Sequence, residues 1–487
     1  MRWINSIIII AILALGSWST LLAQGDLPSG QVDIVKSFEA RLAEANRVEV
    51  KPVLPALDTS TRRLQYTVVP KDIAVEYLPP KIRPLAFRTE QPPAVYDGYL
   101  RLGGGLPSAF YGEFSYDLTK NEAFDLGVDL FRHSANNTNQ VENQRFNNTK
   151  LGLDGTYYFE QGFAVQGNVG YHNRGIYYYG YNEINDELDT AKYTFEPDQV
   201  MQRFSTVDLG LDLFNGQRTV GDFNYRAGVD LYLLNDEYAA RENGLLLTIE
   251  ATKWFAEQHP LSVVLRTDFT AYKDTTKQSL NNFHLEPSYT YHGDMFQVKV
   301  GLNLTSNNDK YSIFPDIEAS ANIIEGVVTA FVGATGNLRK NNLRSLSEYN
   351  PFIRTRVRIR NTRFTEYYGG VRGNIIGATY NAQIGYTQAD NLALFQLNDP
   401  FDSIPRFNVL YDTANIVTIK GSIILPLFEG LELTGSITQN IFSLEREEKP
   451  WHLPSTTISA GARYTNPEQQ FSLRADLFLE NGVPYRT

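Results

Sequence analysis

The sequence predicts an all-β, membrane-spanning, antiparallel up-and-down β-barrel, and three observations carry that reading. Period-2 segments recur from Asp97 onward, short and long connections take turns between them, and the first residues have the form of an export signal.

Residues 1–23 start with Met1–Arg2, run through Ile7–Leu15, and reach Leu21–Leu22–Ala23 before Gln24. A charged start, an apolar core and a small residue at the cleavage point make a secretory signal peptide. The apolar run is shorter than the ~20 residues a spanning helix needs. No later stretch approaches that length, so a mature chain that crosses a membrane does so with strands. With 0 Cys, a lipid-modified N-terminal cysteine, disulfides, thiol chemistry and cysteine zinc sites are all excluded.

Residues 24–96 read as a periplasmic segment with two parts. Val32–Val48 places Val35, Phe38, Leu42 and Ala45 at helical spacing. Eight prolines then fall between Pro52 and Pro93, a density that fits an extended arm and no sheet interior.

From Asp97 to Thr487 the pattern changes to barrel strands. Phe124, Leu126, Val128 and Leu130 alternate with Asp125, Gly127 and Asp129, and Val207, Leu209, Leu211 and Leu213 alternate with Asp208, Gly210 and Asp212. The rhythm returns at Val298–Leu304 around Lys299, and at Phe471–Leu477 around Arg474 and Asp476. One face is apolar and the other polar, as strands between lipid and a wet lumen require. A soluble sandwich also alternates, so the connections decide. Links at 160–162, 293–294, 325–326, 428–430 and 466–468 alternate with longer polar ones at 135–149, 174–202, 337–362 and 443–455. Short periplasmic turns opposite long external loops describe a bacterial outer-membrane barrel. The 29 Tyr and 28 Phe suit interfacial aromatic belts, and a net charge of −11 argues against a nucleic-acid partner.

The expected strand count is about 18 to 20. With long loops outside, the last strand, Gln470–Leu479, runs outward, and the chain stops at Val483–Pro484–Tyr485–Arg486–Thr487 without a terminal aromatic on an inward strand. Single-chain bacterial barrels have even strand numbers, so either one strand is miscounted or the chain lacks its final strand or strands, the second being favoured.

The signal ending Leu22–Ala23–Gln24, the segment Tyr77–Leu78–Pro79–Pro80–Lys81–Ile82–Arg83–Pro84–Leu85, and the Gly-aromatic strand ends resemble outer-membrane barrels of Bacteroidota-type bacteria. These are porin-like or similar to the barrel region of TonB-dependent receptors, and the resemblance covers most of residues 70–487. It implies outer-membrane residence and a transport or assembly role. Residues 24–96 are too few and too rich in proline for the globular plug of such receptors, so the resemblance implies a barrel without a full plug.

Candidate functional residues follow from this architecture. Tyr177, Tyr178, Tyr179 and Tyr181 cluster on an external loop, where tyrosines either stack on sugars, grip a protein partner, or extend the outer aromatic girdle. Asp125, Asp129, Asp208, Asp212, Asp230, Lys299, Arg474 and Asp476 face the lumen, as charge rings that select solutes or as a plain solvated interior. The histidines, His133, His172, His259, His284, His292 and His452, form no His-Glu-x-x-His pattern, and no Gly-x-Ser-x-Gly elbow occurs. His284 with Glu286 and His292 with Asp294 share strand faces, which lumen polarity explains better than catalysis. Asn-Asn-Thr at 136–138 and 147–149 reads as polar loop.

The expectation is a non-enzymatic channel or receptor-like transport protein for small solutes, in contact with outer-membrane lipid and without cofactor or metal. A non-conducting scaffold that docks a periplasmic or outer-membrane protein through 24–96 is the second reading. A barrel hydrolase, with residues converging from separate strands, is the third.

Overall fold

Hydrogen bonding between successive strands organises the chain. The structure, a computed structural model, describes residues 96–484 except 122, 185–191, 218, 220, 309, 398–402 and 467–470. The signal peptide, the Val32–Val48 helix, the proline-rich arm and the question of a plug lie outside the described residues.

The first six strands are β1 (Gly98–Gly105), β2 (Ala109–Asn121), β3 (Phe124–Asn136), β4 (Arg145–Tyr158), β5 (Phe163–Tyr177) and β6 (Met201–Asn215). The next seven are β7 (Phe223–Asn235), β8 (Arg241–Phe255), β9 (His259–Lys273), β10 (Lys277–His292), β11 (Phe296–Asn307), β12 (Lys310–Ile324) and β13 (Val328–Asn341). The last six are β14 (Arg360–Ile375), β15 (Ala378–Leu397), β16 (Phe407–Phe428), β17 (Leu431–Leu444), β18 (Thr456–Thr465) and β19 (Ser472–Asn481). Two short helices interrupt the series, α1 (Tyr181–Ile184) and α2 (Leu343–Tyr349).

Each strand pairs antiparallel with the next in sequence, from β1–β2 through to β18–β19, which is an up-and-down meander. The nineteen strands fall inside the expected count. The sheet is curled: Lys340 on β13 reaches Asp268 on β9 at 2.7 Å, and Asn337 on β13 reaches Glu286 on β10 at 3.2 Å. In a flat sheet, strands four places apart are about 19 Å distant, too far for two side chains. No ladder joins β1 to β19 among the described residues, and both strands are exposed along their whole length. Backbone groups on those edges need partners once in hydrocarbon.

The period-2 pattern sorts side chains between two environments. Leu209, Leu211 and Leu213 are exposed on the outer face of β6, whereas Gln202, Phe204, Thr206 and Asp212 are buried on the inner one. On β11, Val300 and Leu302 point outward, against buried Asn303 and Thr305. Apolar exposure on this scale is unfavourable in water; as a continuous outer band it suits lipid.

The connections alternate less strictly than expected, since the end that carries the long ones also has short turns at 106–108, 236–240, 274–276 and 308–309. At the opposite end no connection is longer than 216–222, and several are flanked by aromatic pairs: Phe159 stacks on Phe163 at 4.3 Å, Tyr291 lies 5.7 Å from Phe296, and Tyr464 lies 5.8 Å from Phe471. That is an interfacial girdle. Gly430 in one of these turns has φ +87° and lies so close to the Thr465 carbonyl that a Cβ would stand 2.1 Å from it. The long connections are all at the other end, but they are shorter than the sequence suggests. β4 begins at Arg145, so Asn147–Thr149 is strand rather than loop, and β13 continues to Asn341. Polar strand ends facing the lumen imitate loop composition.

Candidate solute cavity in the lumen

The connection between β13 and β14 does not stand out from the barrel; it folds into it. Asn342 caps α2 with extended backbone (φ −118°, ψ 176°), its side chain accepting from the Ser345 N–H while the Ser345 hydroxyl accepts from the Asn342 N–H, both at 3.0 Å. This reciprocal capping box satisfies two of the helix's unpaired donors. Glu242 on β8, 0% exposed, takes two more: its carboxylate accepts from the N–H groups of Leu343 at 2.7 Å and Arg344 at 3.1 Å. The Tyr232 hydroxyl on β7 donates to Glu242 at 2.9 Å and accepts from Asn342 Nδ2 at 2.7 Å. A Cβ on Gly244, the residue opposite Tyr232, would lie 1.9 Å from the Tyr232 ring, so the absence of a side chain there lets the ring lean across β8.

Packing completes the attachment. Leu343 and Leu346 of α2, with Ile353, Val357 and Ile359 beyond it, form one buried cluster with Phe204, Leu234, Tyr272, Leu280 and Phe395 of the wall. The extended stretch after α2 is held along the wall, Tyr178 Oη donating to the Ile353 carbonyl at 3.1 Å and Gln278 both donating to the Val357 carbonyl at 2.8 Å and accepting from the Ile359 N–H at 3.1 Å.

Between this inward loop and strands β3 to β6 lies a cavity of about 920 Å³. That volume is within the range of small-molecule sites. Its wall side presents His133, Lys150, His172 and Arg174, and its loop side presents Arg344, Glu348 and Phe352. The groups have distinct partners. Arg344 pairs with Asp208 at 2.6 Å and Glu348 at 3.3 Å, Arg174 donates to the carbonyls of Ser347 and Glu348 at 3.3 Å, and His172 Nε2 bonds Asn148 Oδ1 at 2.8 Å. Lys150 lies over the Phe131 ring, 5.9 Å from its centroid. Gly152 and Gly170, register partners placed between Asp129 and Asp208, leave the floor beneath the cavity without side chains.

The tyrosines singled out in the sequence lie beside this loop rather than on a free surface. Tyr178 and Tyr181 are buried at 1% and 2% exposure, in a second cluster with Ile176, Val200 and Phe352. Tyr179 packs edge-on against Phe352 at 5.9 Å, and Tyr177 lies under the Arg145 guanidinium at 4.1 Å. Packing uses the ring faces that a sugar or protein would need.

The lumen charges form partial belts with local pairing. Asp125 and Asp212 share one register row across β3–β6, Asp129 and Asp208 share another, and Asp230 is in the row of Asp154 and Asn168. Asp212 pairs with Arg226 at 2.8 Å, Lys299 with Asp316 at 2.7 Å, and Arg474 with its own neighbour Asp476 at 2.7 Å. Lys299, Arg474 and Asp476 are on β11 and β19, apart from the cavity. His284 stands 4.0 Å from Glu286 on the shared face expected of them, and Glu286 also pairs with Arg266. Among the described residues no group of His, Asp and Glu has the arrangement of a metal site.

Sequence reasoning missed the inward loop. Two signals for it were present, the Asn342-x-x-Ser345 capping spacing and the alternation of Ile353, Thr355, Val357 and Ile359 with arginines.

No family model and no curated protein matches the chain. Solved structures do share its fold. The siderophore receptor PirA from Pseudomonas aeruginosa is similar at 12% identity, over 76% of this chain and 68% of that one, with a TM-score of 0.54. The alcaligin outer-membrane receptor FauA from Bordetella pertussis is similar at 11% identity, over 79% and 68%, with a TM-score of 0.52. The FrpB iron transporter from Neisseria meningitidis is similar at 9% identity, over 77% and 67%, with a TM-score of 0.55. At such identities the likeness is one of fold, and the described strands have the barrel fold of outer-membrane siderophore receptors.

Proposed function

We propose that this chain is an outer-membrane transport barrel for small solutes whose passage is restricted by the inward loop 342–359, with the cavity beside α2 as the place where solute is held. The observation that carries the reading is the attachment of that loop inside the lumen through Glu242, with an open volume of about 920 Å³ left between loop and wall. A solute crossing from the long-loop end meets this constriction, and charged groups on both of its sides bias what enters. The outer apolar band and aromatic girdle support a lipid-embedded barrel. The similar structures, receptors and a transporter, agree with a transport role.

Planar-bilayer recording tests this. The wild-type protein should give small conductance steps, and a variant with residues 343–358 replaced by a short Gly-Ser linker should give larger ones. If both proteins fold, as shown by heat-modifiable migration, and neither conducts, the transport reading fails.

A further inference from the structure

Three successive register pairs of β4 and β5 form one wall of the cavity beside α2. Leu151 and Leu153 of β4 and Val169 and Tyr171 of β5 are exposed on the outer face, so the pairs Phe146–Ile176, Asn148–Arg174 and Lys150–His172 face the lumen. β4 starts at Arg145 beside a long connection, which puts Phe146 nearest the long-loop end and Lys150 deepest. The wall is therefore apolar toward the outside and cationic below.

The charges of the cavity are unevenly engaged. Its lining holds three cations, Lys150, Arg174 and Arg344, against two carboxylates, Asp208 and Glu348. Both carboxylates pair with Arg344, at 2.6 and 3.3 Å. Among the described residues Lys150 makes no ion pair and no hydrogen bond, and its ammonium only lies over the Phe131 ring. Arg174 donates to the Ser347 and Glu348 carbonyls through one terminal nitrogen, Nη1, and so keeps donors for a further acceptor. Those two bonds also hold it in place before a solute arrives. Lys150 and Arg174 are diagonal neighbours across the two strands, about 7–8 Å apart at the backbone. One row closer to the short turns, Asp129 and Asp208 stand at the two ends of Gly152–Gly170, so the field changes sign just below the two cations.

We propose that, granted the cavity is where solute is held, its occupant is an amphipathic monoanion: a carboxylate on a flat apolar body. One carboxylate balances the excess cation of the lining and can accept charge-assisted hydrogen bonds from Lys150 and Arg174 together. A phosphate monoester, with close to two negative charges, brings one too many and meets the repulsion of Asp129 and Asp208. An amine on the solute would have to compete with Arg344 for Asp208 and Glu348. The apolar body lies toward the long-loop end. There Phe146, edge-on to His133 at 5.0 Å and 37% exposed, lines the same cavity as Phe352. Burying a flat ring against them adds apolar contact that a bare carboxylate lacks.

Isothermal titration calorimetry on the full-length protein in detergent tests this, with protein-free micelles as the blank. The probes are naphthylacetate, naphthylalanine, naphthylethylamine, naphthyl phosphate and acetate. Naphthylacetate should bind, more weakly as salt is raised, and each of the other probes should bind at least about tenfold more weakly. Lys150→Gln should lower naphthylacetate affinity about tenfold, Lys150→Arg should keep most of it, and Phe146→Ala should also lower it about tenfold. Lys150 is exposed, and heat-modifiable migration reports that each variant folds. If a variant does not fold, the salt dependence and the order of the probes on the wild type decide. Four results each overturn the proposal: no binding of naphthylacetate, an affinity independent of salt, another probe that binds as tightly, or a folded Lys150→Gln that binds like the wild type. Tighter binding of another naphthyl probe removes the monoanion class and leaves the cavity a solute site, whereas failure of the transport reading shows in conductance, which these titrations do not measure.

Discussion

The carboxylate of Glu242, buried in the barrel wall, accepts a hydrogen bond at 2.7 Å from the backbone N–H of Leu343, 101 residues further along the chain. A wall side chain here completes the first turn of a helix that the wall surrounds. Replacing it with Ala leaves the Leu343 and Arg344 donors, and the Tyr232 hydroxyl, short of an acceptor. Buried polar groups without partners cost about 1–3 kcal/mol each. In Glu242→Ala, amide exchange at Leu343 and Arg344 should therefore speed up by roughly tenfold to a hundredfold, and conductance should rise as the loop leaves the lumen. Glu242→Gln keeps one carbonyl oxygen and should show a smaller effect. Unchanged exchange in both variants would mean that packing alone holds the loop.

Gly244 controls the same attachment from the neighbouring position. A methyl group there would meet the Tyr232 ring at 1.9 Å, so Gly244→Ala must displace the ring and with it the hydroxyl shared by Glu242 and Asn342. The expected result is a loosened loop with the strand ladder intact, read as faster exchange at the start of α2 without loss of heat-modifiable migration. Tyr232→Phe removes the hydroxyl but not the ring, and should reproduce part of the effect. If Gly244→Ala leaves α2 as protected as in the wild type, the ring does not depend on that space.

The contrast between β6 and the inward loop shows what the sequence could reveal. Val207–Leu213 announces a strand because its pattern is local: successive side chains fall on opposite faces, and lipid and lumen select opposite residue types. Loop boundaries were less legible, since Arg145–Thr149 and Asn337–Asn341 are polar for the lumen's sake and look like loop. The placement of 342–359 was hidden for a different reason. Its helix depends on Glu242 and Tyr232, and its extended part on Tyr178 and Gln278, all distant in sequence. The tyrosines at 177–181 were visible as a cluster, but Tyr178 and Tyr179 pack on Phe352 of that same loop and Tyr181 on Phe195, contacts that are distant in sequence.

His452, in the connection between β17 and β18, gives the long-loop end a response to pH. Its ring stands edge-on to Phe407 at 4.5 Å, its backbone N–H donates to the Pro484 carbonyl at 2.9 Å, and burial pushes its pKa below the ordinary 6.5. The folded loop therefore binds this proton less readily than the unfolded chain. Above the unfolded value there is no penalty, and stability is lost as the pH falls from about 6.5 toward the depressed folded value. Trp451 beside it is 6% exposed and donates to Glu447 at 2.8 Å, which makes it a local reporter. Its fluorescence should shift to the red on acidification from about pH 7.5 to pH 5, and the shift should be reduced in His452→Gln. An identical shift in the variant would assign the response to another group.

Leu211 and Asp212 are sequence neighbours with opposite environments, 55% and 6% exposed, and they test the membrane reading at single-residue resolution. If the outer face meets hydrocarbon, Leu211→Arg places a charge in lipid at a cost of about 2–4 kcal/mol near the midplane. The folded fraction recovered in lipid vesicles, measured by heat-modifiable migration, should fall sharply. Asp212→Asn keeps the side-chain shape and weakens only the pairing with Arg226, whose side chain is 52% exposed, so about 0.5 kcal/mol or less is at stake. That variant should fold like the wild type. In a water-facing sheet both variants would fold like the wild type, because an arginine at an exposed position is harmless there. Equal folding of Leu211→Arg and wild type in vesicles would remove the lipid face, and with it the barrel's placement in a bilayer.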